Sequence, residues 1–474
     1  MLDSLDLSYF TMASVIAYSL GGVCAVYALW RSRTTQGATA WVVALLGFPF
    51  VMVPLFLVFG RNRFYGYVKK RKDLDEAAHS ELRDILDFDK EQVDPPAQIC
   101  ELQKIANLSR QPGFTDANTI ELLIDGKATY ASMHEAIRKA RKYILFQFYI
   151  IRDDESGQVF KDLLITKARE GVKIYFLFDG VGTSLHRKFL KDLRDAGVLV
   201  SKFNSTKYYR VQINFRNHRK NLVIDGTTAF IGGLNIGDDY LGKDPKVGAW
   251  RDTHSKICGP AALSAQIAFV KDWLWAEEKF LDLDWEPTRF ENGAKVMIQH
   301  TGPADKTESA LLAHVTLVNS AKTRCWIANP YVVPPEALSD ALALAALRGV
   351  DVRILVPSKN DNILVQFASE VGIEKLLPIG VKFYKYLPGF LHQKVILIDD
   401  TAAVVGSTNL DSRSLFVNFE IGAVTDDANF LTSVEAMLQN DFRNSKEVCK
   451  EDLEARSLVH QVFARAVTLL SPVL

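Results

Sequence analysis

A chain that carries one unit twice is constrained to fold as two similar parts, and here the unit is His-x-Lys-x4-Asp. It occurs as His218, Lys220 and Asp225, and again as His392, Lys394 and Asp399. Each copy is followed by small residues and an asparagine: Gly232-Gly233-Leu234-Asn235 and Gly406-Ser407-Thr408-Asn409, with 17 residues from His to Asn in both. Upstream, "REGVKIYFLFD" ending at Asp179 resembles "LRGVDVRILVP" ending at Pro357, and "QFYII" resembles "PYVV", aligning Tyr149 with Tyr331. The offset drifts from 182 at the tyrosines through 178 at Gly171 and Gly349 to 174 at the histidines, as small insertions and deletions would produce. A period near 175 residues is far too long for a solenoid unit and implies two half-domains.

Within each half, apolar β-branched runs alternate with helical stretches. "KYILFQFYII", "VKIYFLFD" and "KNLVIDG" alternate with "MHEAIRKARK" and "VFKDLLITKARE"; "CWIANPYVV", "VDVRILVP" and "KVILIDD" repeat the scheme. This predicts α/β sandwich halves over 116–290 and 291–474. The C-terminal "LEARSLVHQVFARAVTLL" reads as an amphipathic helix, placed on the core or against lipid.

The first 63 residues differ in kind. Phe10 to Trp30 and Gly37 to Gly60 are uncharged stretches of 21 and 24 residues. Each suffices to cross roughly 30 Å of hydrocarbon, so a transmembrane hairpin is expected, with the second helix bent at Pro49 and Pro54. Trp30 and Trp41 sit near span ends. Two basic residues, Arg31 and Arg33, lie between the spans, and six follow them: Arg61, Arg63, Lys69, Lys70, Arg71 and Lys72. That bias predicts a multi-pass protein with its catalytic part on the cytoplasmic side and a basic surface for anionic headgroups. Residues 64–115 read as a charged linker or membrane-proximal helix. The formal net charge is zero, so no polyelectrolyte partner is implied. Locally, Ala196 to Ile224 has no acid but carries Lys202, Lys207, Arg210, Arg216, Arg219 and Lys220, which would concentrate an anionic substrate. Five scattered cysteines without a C-x-x-C pair indicate neither a zinc site nor a disulfide framework.

His and Lys two apart, running into a β-branched segment, project from one face. Two imidazoles can attack and protonate at phosphorus, and ammonium groups hold non-bridging oxygens. Asn235, Asn409 and Ser407 are candidate phosphate donors, and Gly233 opposite Ser407 makes the two halves unequal. Lys is not a metal ligand and neither His has a second ligand at metal spacing, so metal-free chemistry is expected.

The doubled motif is similar to that of the phospholipase D superfamily, and within it to the bacterial cardiolipin synthases. The resemblance spans nearly the whole chain: "FGRNR" after the double span, "QFYIIRDD", "FRNHRK", "GGLNIGDDY", "WRDTH", "GFLHQK", "GSTNLDSRS" and the final "LLSPVL". It implies a pseudo-twofold site, phosphatidylglycerol as substrate, transfer through a phosphohistidine, no cofactor, and a bacterial inner-membrane location. By that resemblance His218 is the nucleophile, His392 the acid and base, Asp252 and Glu420 orient the histidines, and Asp225 and Asp399 close the catalytic motif in a mainly supporting role. A phospholipase D-type hydrolase or a transferase with another alcohol acceptor is the alternative. A nuclease gains nothing obvious from membrane spans, so no nucleic-acid partner is expected; a dead scaffold would have lost a motif residue, and none is lost. A homo-oligomer is left open.

Overall fold

The computed structural model describes residues 2–32, 34–60, 92–203, 214–245, 247–305 and 307–469. The basic cluster Arg61 to Lys72, most of the expected linker helix, Lys207, Arg210 and the last five residues lie outside the described residues. The chain divides into two compact units, Met1–Gly66 with Thr206–Phe215, and Tyr67–Ser205 with Arg216–Leu474.

In the N-terminal unit, helix Leu2–Arg31 contains one stretch, Tyr9–Arg31, long and apolar enough to cross a membrane. Its large apolar side chains are mostly exposed, Phe10, Val23 and Leu29 among them, unlike those of a core helix. The expected continuous second span is not formed: Thr35–Gly47 and Pro49–Phe59 are separate helices of 13 and 11 residues. Pro49 has no N–H to donate and drives the preceding residue out of the helical region, and Phe48 accordingly sits at φ −135°, ψ 58°. At 1.5 Å per residue the two pieces reach only about 20 and 16 Å. They fold back on the first helix around Ala25, Ala28, Leu45 and Phe56, where Trp41 meets Phe56 edge-on at 5.0 Å. Gly21 permits this approach, since a Cβ there would lie 2.6 Å from the Leu45 carbonyl oxygen.

The second unit is built on one 15-stranded sheet whose order repeats outward from its centre. On one side Thr115–Ile124 is followed by Thr253–Cys258, Thr228–Gly232, Asn221–Ile224, Tyr143–Phe148, Lys173–Phe178 and Leu199–Lys202. On the other, Ala294–Thr301 is followed by Glu420–Thr425, Ala402–Gly406, Val395–Ile398, Arg324–Ala328, Asp351–Pro357 and Lys382–Tyr386, with Ser445–Glu447 as an added edge. The two series meet in antiparallel pairing at Thr115↔Val296. Strand directions repeat as well: Tyr143–Phe148 is parallel to Lys173–Phe178 and antiparallel to Asn221–Ile224, as Arg324–Ala328 is to Asp351–Pro357 and Val395–Ile398. Alternate side chains serve opposite layers. Ile327, Ile354 and Ile396 meet Leu317 and Leu342 from helices on one face, while Trp326, Leu355 and Leu397 meet Val434 and Leu438 of Ala428–Arg443 on the other. The C-terminal helix Leu458–Thr468 packs on Ile363–Leu376 through Phe367 and Phe463, rings 4.9 Å apart, and leaves Leu458, Val459 and Val462 exposed.

The third member of each motif does not line the cavity described below, and its hydrogen bonds go mainly to backbone at the start of a strand in its own half. Asp225 and Asp399 occupy left-handed turn positions, φ +53° and +47°, that Asp tolerates better than most residues. Asp225 accepts backbone N–H groups of Arg141, Lys142 and Tyr143 at 2.8–2.9 Å. Asp399 accepts those of Lys322, Thr323 and Arg324 at 2.8–2.9 Å, plus the Thr323 hydroxyl at 2.7 Å. Each carboxylate fastens its hairpin to the start of the neighbouring strand.

Candidate active site

His218 and His392 lie in extended segments just ahead of strands Asn221–Ile224 and Val395–Ile398. Alternation sends the residue between His and Lys the other way, into the body. Arg219 donates to Asp272 at 2.7 Å and to the carbonyls of Glu420 (3.1 Å) and Thr301 (3.0 Å). Its counterpart Gln393 donates to Asp441 at 3.1 Å, which also pairs with Arg251 at 2.9 Å. The halves are thus joined directly beneath the histidines. Each histidine backbone is held by the opposite half as well: His218 N–H donates to the Phe419 carbonyl at 2.9 Å, and His392 N–H to that of Arg251 at 2.8 Å.

The orienting carboxylates are exchanged in the same way. Nδ1 of His218 lies 2.9 Å from Glu420, and Nδ1 of His392 lies 2.7 Å from Asp252. A carboxylate has only acceptors to offer, so each Nδ1 carries the proton and each Nε2 keeps its lone pair. Burial, together with the nearby lysines, holds both imidazoles below the ordinary value, His392 well below it. Glu420 is fully buried, which pushes its carboxyl up, yet His218, Lys220 and Ser407 together hold it below its usual range. Asp252 is pushed above its range by burial, against the charge of Lys394.

Burial pulls Lys220 down to about 7 and Lys394 to about 8. Lys220 Nζ donates to the His218 carbonyl at 2.7 Å; Lys394 Nζ donates to the His392 carbonyl at 2.6 Å and lies 2.9 Å from His392 Nε2. Both histidines and both asparagines, Asn235 and Asn409, line one cavity of about 380 Å³. The asparagines are not equivalent in it. Asn235 accepts from Ile150 N–H at 3.1 Å and donates to Tyr240 at 3.1 Å, whereas Asn409 Oδ1 is buried without a donor among the described residues. Ser407, like Lys220 and Lys394, is not among the residues that line the cavity; its hydroxyl donates to Glu420 at 2.5 Å and accepts Ile421 N–H at 2.9 Å, so it serves the orienting carboxylate. Gly233, its counterpart, must be small, because a Cβ there would come 2.1 Å from Asp252 Oδ1.

Several wall residues had no assigned role in the sequence. Trp250 stacks obliquely on His392 at 5.0 Å and donates to Asp252 at 3.3 Å; Tyr149 meets His218 edge-on at 4.8 Å. Arg413 and Tyr331 also line the cavity, and the Tyr331 hydroxyl donates to Asp361 at 2.7 Å. The matched offset of Tyr149 and Tyr331 was the available signal for two of these, while Arg413 aligns with an acid, Asp239, and repeat matching hides it.

Residues 133–247 and 315–442 match the family model described as "Cardiolipin synthase, PLD-like domain". Cardiolipin synthase A of Pseudomonas putida is 41% identical over 466 residues, 97% of each chain, and that of Pseudomonas aeruginosa 41% over 463 residues, 96% of this chain and 94% of the relative. The crystal structure of a phosphatidylserine synthase from Haemophilus influenzae superposes with a TM-score of 0.58 at 17% identity, covering 79% of this chain and all of that one, a likeness of fold. With a doubled motif meeting in one cavity and near-full-length relatives on both sides of it, this chain belongs to the phospholipase D-like cardiolipin synthase family.

Proposed function

We propose that this chain is a cardiolipin synthase, a phosphatidyltransferase that joins two phosphatidylglycerols and releases glycerol. The observation that carries the reading is the exchanged pair of His–carboxylate contacts at one cavity, 2.9 and 2.7 Å. In the first step His218 Nε2 forms a bond to phosphorus as the P–O bond to glycerol breaks, and His392 supplies the proton that leaves with glycerol. An incoming phosphodiester anion beside Lys220 and Lys394 offsets the charge that keeps the imidazoles neutral, so His392 can be protonated when substrate is bound. In the second step His392 takes the proton of the acceptor's hydroxyl, its oxygen attacks phosphorus, and the P–N bond breaks.

The choice of His218 as nucleophile is supported by its Nε2, which makes no hydrogen bond among the described residues, whereas Lys394 lies 2.9 Å from Nε2 of His392. Glu420 and Asp252 fix the tautomers, and Arg216 and Arg413 add guanidinium donors for phosphate oxygens. Donor and acceptor arrive from the bilayer. Helix Leu2–Arg31 is read as a span and the kinked pair 35–59 as the return crossing, with the body on the cytoplasmic side and anionic lipids as its partners. The test is purified protein on phosphatidylglycerol vesicles: cardiolipin with equimolar glycerol is expected, and phosphatidic acid as the sole product would make the chain a hydrolase.

A further inference from the structure

The cavity is unequally divided between its two halves. In the first half the acceptors are satisfied, Asn235 by Ile150 and Tyr240, and Asp239 by Arg152 at 2.7 Å, while Arg216 leaves a buried donor, Nη1, without a partner among the described residues. In the second half Asp411 accepts Ser414 N–H at 2.6 Å, but two asparagine acceptors are left incomplete. Asn418 donates Nδ2 to Glu420 at 3.1 Å, which fixes its amide and leaves Oδ1 buried without a donor among the described residues; Asn409 Oδ1 is likewise buried without one. Both side chains are more than nine-tenths buried and line the cavity. Beside them stand two carboxylates, Asp411 and Asp361. Asp361 is exposed, is held by the Tyr331 hydroxyl at 2.7 and 2.8 Å, and lies within electrostatic reach of His392 and Lys394.

The two asparagine oxygens and the two carboxylates are hydrogen-bond acceptors, and beside them the Ser414 hydroxyl, able to donate or accept, has no partner among the described residues. Buried acceptors left without donors are costly, so the ligand that completes this wall must bring hydrogens. An ionised phosphodiester has none to give. An ammonium has them, but it would share the cavity with Arg216 and Arg413, with Lys394 against the His392 ring. A neutral polyol fits: several hydroxyl donors, no charge, and the size of a glycerol headgroup.

We propose that the second-half wall, Tyr331, Asp361, Asn409, Asp411 and Asn418, is a polyol subsite that holds the glycerol of the acceptor lipid beside His392, and before it the glycerol that leaves. The proposal rests on the transferase reading above and adds to it the residues that select the alcohol. One subsite serves both alcohols because the second step is the first run backwards with a different glycerol. Asp361 is the residue that discriminates, since it stands at the mouth and can accept the hydroxyl that a simple alcohol lacks.

Full-length enzyme in mixed micelles is given cardiolipin with radiolabelled glycerol or with ethanol, and phosphatidylglycerol and phosphatidylethanol are measured. Both arise from one phosphohistidine by attack of an alcohol oxygen with loss of its proton to His392. Asp361→Ala should raise the KM for glycerol about tenfold and change ethanol capture less than about twofold, while Asp361→Asn, which keeps an acceptor, should recover part of the loss. Tyr331→Phe, which frees the carboxylate without removing it, should fall between them. Parallel loss of both alcohols, no loss of either, or a wild-type preference for ethanolamine over glycerol would overturn the subsite. Wild type that captures an alcohol, in whatever preference, leaves the transferase reading standing; wild type that releases only phosphatidic acid from its donor sinks both.

Discussion

The two halves share a strand order, a motif and a turn, yet they diverge at the atoms nearest phosphorus. Gly233 faces Ser407, Asp239 faces Arg413, Trp250 faces Asn418 and Asp252 faces Glu420. Two of these substitutions, Trp250 for Asn418 and Asp252 for Glu420, keep a task while changing its means. Trp250 and Asn418 both donate an N–H to the carboxylate two residues on, at 3.3 and 3.1 Å. Ser407 gives Glu420 a further hydroxyl, whereas Gly233 only makes room for Asp252. Duplication therefore supplies two interchangeable scaffolds, and the division of labour lies in the few residues where the copies no longer match.

If the halves do different work, removing either histidine should stop turnover but at different steps. His218→Ala and His392→Ala should each lower kcat by at least about 10³-fold. With a donor whose leaving group needs no proton, a nitrophenyl phosphodiester, His392→Ala should still give a burst and an acid-quenchable phosphoenzyme, and His218→Ala should not. A burst from His218→Ala alone would reverse the assignment. One step down, Glu420→Gln and Asp252→Asn should cost about 10²-fold each, by loosening the histidine of the opposite half. The crossing is checked by NMR: Glu420→Gln should move the His218 ring resonances and leave those of His392, and Asp252→Asn the reverse.

How much of this could be read from the sequence follows from which quantities period and spacing encode. The repeat gave two similar halves and the motif gave His218, Lys220, His392 and Lys394, because spacing along a strand survives folding. It did not give the exchange of Glu420 and Asp252, since two residues 202 and 140 positions from their histidines meet only through the strands that bring the halves together. Ser407 looked like a phosphate donor because a hydroxyl's direction is decided by its neighbour across the sheet, here Glu420. Hydropathy counts apolar residues and passes over Phe48, where Pro49 divides the expected second span.

Exchanging the small residues tests the asymmetry at closer range. Gly233→Ser forces Asp252 to move, because its Cβ would sit 2.1 Å from Oδ1, and should lower kcat about tenfold or more with His392 disordered. Ser407→Gly removes one donor from Glu420 and should cost about tenfold, the scale of one hydrogen bond to a buried charge. The pH profile separates the groups another way. Both imidazoles are held below their ordinary value, so free-enzyme kcat/KM should not fall as pH drops from 7 past about 6.5, where an unperturbed histidine would be taking up its proton. On the alkaline side Lys220 and Lys394, at about 7 and 8, lose the protons that attract phosphate, so kcat/KM should decline through that range. A rise there would remove the lysines from phosphate binding.

The smallest effects belong to the pair that chemistry does not need. Asp225→Ala and Asp399→Ala should leave kcat of the folded fraction within about twofold and lower stability by about 1–3 kcal/mol, from orphaned backbone N–H groups and a left-handed alanine. Asp399 should matter more: it accepts four hydrogen bonds against three and is 8% exposed, while Asp225 is half-buried. Burial pushes Asp399 up, but the donated N–H groups of Arg324, Lys322 and Thr323 and the Thr323 hydroxyl hold it below its ordinary value. A depressed carboxyl stabilises the fold above the unfolded value of about 3.9 and loses that contribution as pH falls towards the folded one. The gap in thermal midpoint between wild type and Asp399→Ala should therefore be full at pH 7 and narrow below about pH 4. A gap that is constant with pH, or a kcat that collapses with either alanine, would return the third motif residue to the chemistry.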